Sequence, residues 1–336
     1  MKTKNSVLEL IGNTPLLRLN KITKDLNTDV LAKCEHMNPS GSVKDRMVLG
    51  IIEQAEKEKK LKPGSIIVES TSGNTGIAMA LVGAAKGYKV RLRMSRKSGP
   101  LAYSLEERKK IMKSFGAEVE EYYLPLEDIK DVPDDFKRKV QLIKTYSENY
   151  KLEKSDPRVW WANQMRNPYH VVAYEKTLGK EIVEQTDGKV DAWVASIGSA
   201  ASLLGVARVL RRTNPSVRIV AVEPADNPVM KWAKESHRFD KYYKEFGVPK
   251  TKTIVDTMVE EGLPDEVITV RDEDARNMAN RLCQEEGLFC GMSSGANVLA
   301  AIEIAKRMRK GGNVVTLLVD RRDRYLGEYP KERYIV

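Results

Sequence analysis

Lys44 is the side chain in this sequence best suited to covalent chemistry. It lies within residues 38–46, which read Asn-Pro-Ser-Gly-Ser-Val-Lys-Asp-Arg. Apolar residues then recur at helical spacing, and Ser42 with Asp45 fits a capping box, which places Lys44 in the first helical turn. The helix dipole opposes a cation there, so it lowers the pKa of the amine and favours the neutral form that a Schiff base requires. On position alone, a solvated surface lysine is the commoner explanation.

Three loops rich in small and hydroxyl residues each follow a predicted strand and open a predicted helix. They are residues 71–76, 198–202 and 291–295. The unpaired amides and the dipole at a helix N-terminus attract anions. A single loop of this kind more often serves only to cap its helix. Three in one chain predict a cleft at the carboxyl ends of the strands, where open α/β sheets bind ligands.

The segments around these loops predict an α/β fold. Short β-branched runs at 65–69, 190–196 and 314–319 alternate with helical patterns that start near 77, 203 and 297. This alternation is typical of a mostly parallel open sheet with helices on both faces. Because 336 residues exceed one typical core, we expect two such lobes sharing a cleft. Residues 120–156 are rich in charge, and we interpret them as an insertion or a connection between the lobes.

The composition excludes several classes of protein. Apolar residues at 41% together with 22 glycines lie in the globular range, which excludes disorder and fibrous repeats. The net charge of +10 favours anionic ligands. The basic residues are scattered among almost as many acids, however, and only 7% of residues are aromatic. We therefore expect no nucleic-acid partner.

The cysteines predict a reducing compartment, and the lack of a long apolar segment predicts a soluble protein. Three cysteines without a CxxC pair argue against a disulfide framework. The three histidines are far apart, so we expect no metal site. The N-terminus lacks an apolar signal core, and the longest apolar run, 77–85, is shorter than the ~20 residues of a membrane helix. We expect a soluble, cytoplasmic protein without a membrane partner.

The order of these motifs resembles the cysteine synthase and cystathionine β-synthase family, the pyridoxal-phosphate enzymes of fold type II. Lys44 and Asn74 are separated by 30 residues, as in the family. The resemblance covers nearly the whole chain, and its first three motifs are highly specific. The segments that carry it are residues 9–16, 38–46, 71–76, 175–182, 222–224 and 291–296.

The resemblance implies a role for each of these residues. Lys44 would hold pyridoxal 5′-phosphate as a Schiff base and take the Cα proton of the substrate. Asn74 would bond the ring 3′-oxygen, and Ser293 would face the pyridine nitrogen without holding it protonated, which favours elimination over transamination. The cofactor phosphate would lie on Gly198, Ser199, Ala200, Ala201 and Ser202, and the substrate carboxylate would lie on Thr71, Ser72, Gly73, Thr75 and Gln164.

Some of these roles have plainer alternatives. Asn74 could be an ordinary turn residue, and Ser293 could be only a helix cap. Gln164 rests on matching residues 164–168 with a looser family segment. The resemblance also implies a larger cofactor-binding domain of residues 1–46 and 166–336 and a smaller substrate-side domain of residues 47–165.

The chain departs from the family pattern in its phosphate loop. Residues 198–202 replace a loop that is usually glycine-rich with two threonines. If Ala200 or Ala201 must take positive φ, the cost is of order 1 kcal/mol or more. The serines still supply hydroxyl groups, so we expect phosphate binding to survive.

Additional arginines are a second departure. Arg321 and Arg322 replace a serine and a glycine near the expected ring. They either pair with Asp320 and Asp323 or bind an anion, and we favour internal pairing because a free charge beside the ring is costly to desolvate. A basic rim formed by Arg91, Arg93, Arg96 and Lys97 could attract an anionic substrate, although a solvated face is commoner.

The resemblance implies a lyase or transferase that performs β-replacement on O-activated serine. Its substrates would be O-acetylserine or O-phosphoserine and a sulfide or thiol, its product would be cysteine, and its assembly would be a homodimer. Two related alternatives are a cystathionine β-synthase-like activity and a serine or threonine dehydratase. A third is a sensor protein that binds pyridoxal phosphate without turnover.

Overall fold

The computed structural model describes residues 3–71, 73–95, 101–122, 132, 134–226, 229–308 and 311–328. The strands are β1 Leu16–Arg18, β2 Asp29–Lys33, β3 Ile66–Ser70, β4 Lys89–Ser95, β5 Glu118–Tyr122, β6 Val159–Trp161, β7 Ala192–Ser196, β8 Arg218–Pro224, β9 Glu266–Val270 and β10 Asn313–Leu317. The helices are α1 Lys44–Lys57, α2 Asn74–Lys86, α3 Leu101–Ser114, α4 Asp134–Ser155, α5 Tyr169–Tyr174, α6 Lys180–Gln185, α7 Ala201–Thr213, α8 Val229–Lys234, α9 Asp240–Glu245, α10 Ile254–Glu260, α11 Asp272–Glu286 and α12 Met292–Arg307. A π-helical turn, Glu175–Gly179, joins α5 to α6, and short 3-10 helices lie at Val7–Leu10, Glu35–Met37, Ser236–Phe239 and Arg322–Glu328.

The chain forms two compact units. Unit 1 takes the described residues of Met1–Gly50, Pro168–Val229 and Thr253–Asp323, and unit 2 takes those of Ile51–Asn167, Met230–Lys252 and Arg324–Val336. The sequence analysis predicts a cofactor-binding domain of residues 1–46 and 166–336 and a substrate-side domain of residues 47–165. Backbone packing does not test which domain binds which ligand, so this division stays a prediction. Unlike that division, unit 2 includes residues 230–252.

Unit 1 is built on a six-stranded sheet in the order β1-β2-β10-β7-β8-β9. Every neighbouring pair is parallel except β1 with β2. Side chains alternate between the faces of a strand. Accordingly, Ala192 and Val194 of β7 pack in the core cluster with α11 and α12, while Trp193 donates to the Leu203 carbonyl of α7. Helices thus cover both faces, which confirms the predicted α/β fold.

Unit 2 is built on a four-stranded parallel sheet in the order β5-β4-β3-β6. Helix α4 lays an apolar stripe, including Phe136, Val140 and Ile143, into a core shared with residues 232–248. We interpreted this part of the sequence as an insertion or a connection between lobes. The interpretation as a connection between lobes is wrong for α4, because this helix forms part of the core of unit 2.

Helix starts differ from the predictions, while strands and helix ends agree more closely. The helices predicted from Ile77 and Asn297 begin earlier, at Asn74 and Met292, because the last residues of each small-residue loop already belong to the first helical turn. The first of these helices ends at Gly87, as predicted, and this glycine takes the left-handed conformation with φ of 78°. Among the described residues, no helix is long and apolar enough to cross a lipid bilayer.

Candidate active site

The structure places Lys44 at the first position of α1, in unit 1. The Ser42 hydroxyl accepts from the Lys44 amide at 3.3 Å. The Asp45 carboxylate accepts from the amide of Ser40 at 2.7 Å and also from its hydroxyl, so the capping contacts differ from the predicted box between Ser42 and Asp45. The helix start is therefore held by residues on both sides of Gly41.

The pKa of the Lys44 amine is lowered by its surroundings, which favours the neutral form. The residue as a whole is partly exposed, but its amine is buried. This burial lowers the pKa of the amine below 10.5, while the Asp320 carboxylate opposes that shift. The direction agrees with the sequence prediction, but burial is the main cause. Among the described residues, none is hydrogen-bonded or ion-paired to its Nζ. A solvated surface lysine, the plainer alternative, does not fit this environment.

The segment after β10 ties the Lys44 loop to the start of α12. The Val43 amide donates to the Val319 carbonyl at 2.9 Å. The Val319 amide in turn donates to the Ser294 hydroxyl at 2.8 Å, and the Gly291 amide donates to the Asp320 carbonyl at 2.9 Å. Parallel packing of β10 in the sheet thus brings the 38–46 motif and the 291–295 motif against one strand end.

Ser293 lies in the first turn of α12 and its side chain is exposed. The N-cap of this helix is Gly291, so the alternative that Ser293 only caps the helix is wrong. Its predicted contact with the pyridine nitrogen stays a prediction.

The loop at 198–202 joins β7 to the N-terminus of α7, also in unit 1. Ala200 is the N-cap residue and has φ of 68°. This is the strained positive φ that the sequence analysis considered for Ala200 or Ala201. A Cβ at Gly198 would meet no atom within 4 Å, so the backbone there is open to a ligand. First-turn amides and the hydroxyls of Ser199 and Ser202 form a donor set suited to a phosphate.

The second group of predicted residues lies in unit 2, at the carboxyl end of β3. Thr71 follows that strand, and its hydroxyl accepts from the Gly73 amide at 3.3 Å. The Thr75 hydroxyl donates to Oε1 of Gln164 at 2.7 Å, and Nε2 of Gln164 donates to the Ser70 carbonyl at 3.3 Å. The structure therefore brings Gln164, the weakest sequence assignment, against the 71–76 motif. Ser72 lies outside the described residues.

Glu69 is a buried carboxylate beneath this loop that sequence reasoning missed. It accepts from the Ser70 amide at 2.8 Å, the Gln164 amide at 2.9 Å and Nε1 of Trp161 at 3.3 Å. Burial outweighs these donors and raises the pKa of Glu69 to about 7. A glutamate at the end of an apolar strand was the available signal. Glu69 anchors the segments that carry Thr71 and Gln164.

Asn74 is the first residue of α2 and is held from the C-terminal part of the chain. Nη1 of Arg324 donates to its Oδ1 at 2.6 Å, and its Nδ2 donates to the Tyr325 hydroxyl at 3.1 Å. Asn74 is thus a helical residue held through its side chain rather than a turn residue, and its contact with the ring 3′-oxygen stays a prediction. Sequence analysis assigned no role to Arg324 or Tyr325, because a contact between residues 250 positions apart leaves no local pattern.

Those preceding arginines form internal contacts. Arg321 pairs with Asp323 at 2.6 Å, as favoured from the sequence. Arg322 is buried and donates instead to the Cys290 carbonyl at 3.1 Å and to Oδ1 of Asn280 at 2.9 Å.

The predicted basic rim is paired where it is described. Arg91 contacts Glu118 at 3.2 Å, and Arg93 contacts Glu148 at 2.9 Å. These pairs favour the solvated face over a substrate-attracting rim, while Arg96 and Lys97 lie outside the described residues. In the part of the chain that the structure describes, no cluster of three or more His, Cys, Asp or Glu side chains is arranged to hold a metal.

Comparison with known proteins assigns the chain to a family. Residues 7–320 match the family model described as pyridoxal-phosphate dependent enzyme. The chain is 36% identical over 327 residues to a cysteine synthase of Staphylococcus aureus strain N315, covering 97% of this chain and 96% of that protein.

Solved structures support the same assignment. A cysteine synthase from Entamoeba histolytica matches with a TM-score of 0.77 and 33% identity, over 97% of this chain and 90% of that one. An O-acetylserine dependent cystathionine β-synthase from Helicobacter pylori matches with a TM-score of 0.76 and 30% identity, over 97% and 98% of the two chains. The chain therefore belongs to the pyridoxal-phosphate dependent enzymes and uses pyridoxal 5′-phosphate as its cofactor.

Proposed function

We propose that this enzyme performs β-replacement on O-activated serine, giving cysteine from O-acetylserine or O-phosphoserine and sulfide. The observation that carries the proposal is the Lys44 amine, which burial holds at a lowered pKa at the start of α1. A neutral amine is what a lysine needs to bond an aldehyde. The nearly full-length similarity to cysteine synthases supports this reaction, while the similarity to an O-acetylserine dependent cystathionine β-synthase supports a thiol-accepting variant of it as the second candidate.

The residues of unit 1 suit the cofactor's chemical groups. When bound, pyridoxal 5′-phosphate supplies an aldehyde that captures amines and a ring that stabilises negative charge at the substrate Cα. Lys44 would hold the aldehyde carbon. The loop Gly198, Ser199, Ala200, Ala201 and Ser202 would bind the phosphate through first-turn amides and hydroxyls at the N-terminus of α7.

Each remaining side chain has a defined task. Nζ of Lys44 receives the Cα proton of the donor as acetate or phosphate leaves the β-carbon, and returns it after sulfide has added there. The Ser293 hydroxyl would lie beside the pyridine nitrogen, and because a hydroxyl does not hold that nitrogen protonated, the bound cofactor would favour elimination over transamination. Thr71, Ser72, Gly73, Thr75 and Gln164 bind the donor carboxylate through hydroxyl and amide donors.

A panel of activated serines, each with and without sulfide, tests the proposal. Release of acetate or phosphate with formation of cysteine is expected. Pyruvate formed without sulfide would identify a dehydratase, and turnover only with an amino-acid thiol would identify a cystathionine β-synthase-like activity. A spectral change on adding the donor without any release would identify the non-turnover sensor.

The covalent role of Lys44 is tested separately. Borohydride treatment followed by mass analysis should find the cofactor on Lys44 in the wild type and nowhere in Lys44→Ala. Far-ultraviolet circular dichroism of the variant should be unchanged. Cofactor trapped on another lysine would overturn the assignment.

The proposal includes a homodimer acting in the cytoplasm. A homodimer is the assembly that the family resemblance implies, and light scattering of the holoenzyme tests it. All three cysteines are free, and two of them, Cys34 and Cys290, are buried, which suits a reducing compartment.

A further inference from the structure

The oxygen and the nitrogen of the Asn74 side-chain amide are hydrogen-bonded to two consecutive residues of unit 2. Arg324 donates to its oxygen at 2.6 Å and Tyr325 accepts from its nitrogen at 3.1 Å. Arg324 is only 3% exposed, so its guanidinium is held inside the unit. The Tyr325 ring is itself covered by the Arg108 guanidinium, which lies 5.0 Å from the ring centroid.

These contacts permit one orientation of the amide. A guanidinium carries only donors, whereas a carboxamide has an accepting oxygen on one side and a donating nitrogen on the other. Turning the Asn74 amide over would set its NH₂ group against the Arg324 donors, and the hydrogen bond between the two side chains would be lost. Because burial makes unsatisfied polar groups costly, Arg324 holds the oxygen toward itself and directs the nitrogen the opposite way.

We infer that Arg324 is a positioning residue that fixes the orientation of the Asn74 amide, so that its nitrogen, and not its oxygen, is the atom directed toward an anionic oxygen of the cofactor. The inference rests on the proposed function and on the role that the family resemblance implies for Asn74, a hydrogen bond to the ring 3′-oxygen of pyridoxal 5′-phosphate. That oxygen accepts hydrogen bonds, so only the Nδ2 side of Asn74 can serve it. Arg324 acts through Asn74 and makes no direct contact with the ring in this scheme.

The test measures cofactor affinity in cofactor-free protein. Arg324→Met should bind pyridoxal 5′-phosphate about tenfold to a hundredfold more weakly, the range expected for losing one hydrogen bond to a charged group. Arg324→Lys keeps a buried donor for the Asn74 oxygen and should recover most of the affinity. A derivative of the cofactor that lacks the 3-hydroxyl should bind the wild type and Arg324→Met equally.

Asn74→Ala provides the matched background. With the amide absent, adding Arg324→Met should weaken binding by less than about threefold, because the two changes act through one contact. The visible absorption of the bound cofactor should shift in Arg324→Met and be restored in Arg324→Lys. Urea unfolding of the cofactor-free variants tests for loss of the fold.

Two outcomes would overturn the inference. If the Arg324→Met and Asn74→Ala effects multiply, or if Arg324→Met weakens the 3-deoxy derivative as much as the natural cofactor, Arg324 has only a structural role. Both results leave the proposed function standing. A wild type that does not attach the cofactor to Lys44 would instead defeat the proposed function, and the positioning role with it.

Discussion

Replacing Ala200 with glycine should cost less stability than replacing its neighbour Ala201 in the same way. Both side chains are 2% exposed, so both variants lose a methyl group from an equally buried site. The backbones differ. Ala200 has φ of 68° as the N-cap of α7, whereas Ala201 is the first residue inside that helix.

The magnitude follows from three contributions. Each variant loses about 0.8 kcal/mol of methyl burial and about 0.4–1 kcal/mol through the greater freedom of glycine in the unfolded chain. Only Ala200→Gly relieves the left-handed backbone, which costs an L-residue about 1–2 kcal/mol. We therefore expect Ala200→Gly to be close to neutral and Ala201→Gly to be destabilising, with a difference of about 1–2 kcal/mol.

Urea unfolding of cofactor-free protein, followed by circular dichroism, measures the difference directly. The two variants share the same background, and their common contributions cancel. Equal losses of unfolding free energy in both would refute the reasoning, because they would mean that Ala200 does not hold a strained backbone in solution.

Three other perturbations have definite expected results. Gly295→Ala should destabilise the protein by about 1–3 kcal/mol or more, because the new Cβ would lie 2.0 Å from the Ala275 carbonyl oxygen of α11. Burial raises the pKa of Glu69 to about 7, so the folded protein resists ionisation of this carboxyl group. The free energy of unfolding should therefore fall as the pH rises from 4.5 toward 7. In urea unfolding, Glu69→Gln should remove that pH dependence. The fraction of protein with the cofactor attached to Lys44 should rise with pH, with a midpoint below 10.5. Because the Asp320 carboxylate raises the pKa of the amine, Asp320→Asn should move that midpoint lower. Borohydride trapping across a range of pH measures both effects.

Each of these has an internal control. Gly198→Ala adds a methyl group where no atom lies within 4 Å, so it should disturb stability far less than Gly295→Ala. An unchanged pH slope in Glu69→Gln would mean that another group produces it. A midpoint that moves upward in Asp320→Asn would contradict the assigned direction of that charge.

Local features were readable from the sequence for a physical reason. Strand and helix periodicity, the glycine at the end of α2 and the position of Lys44 in the first turn of α1 depend on neighbouring residues. Motif order then identified the family, because the segment that carries Lys44 and the loops that open α2 and α12 recur in it in the same order. The main local errors were helix starts, since small residues fit both a loop and a first turn.

Tertiary structure alone decided which distant residues meet. Glu69 contacts the Gln164 amide only because β3 pairs with β6 in a parallel sheet, which brings two strand ends to the same edge. The grip of Arg324 on Asn74 joins residues 250 positions apart. Sequence spacing cannot encode such a pairing, because it depends on how the whole of unit 2 packs and which buried donor finds which acceptor. The residue types and their local conformation came from the chain itself, and the partners that orient them came from the fold.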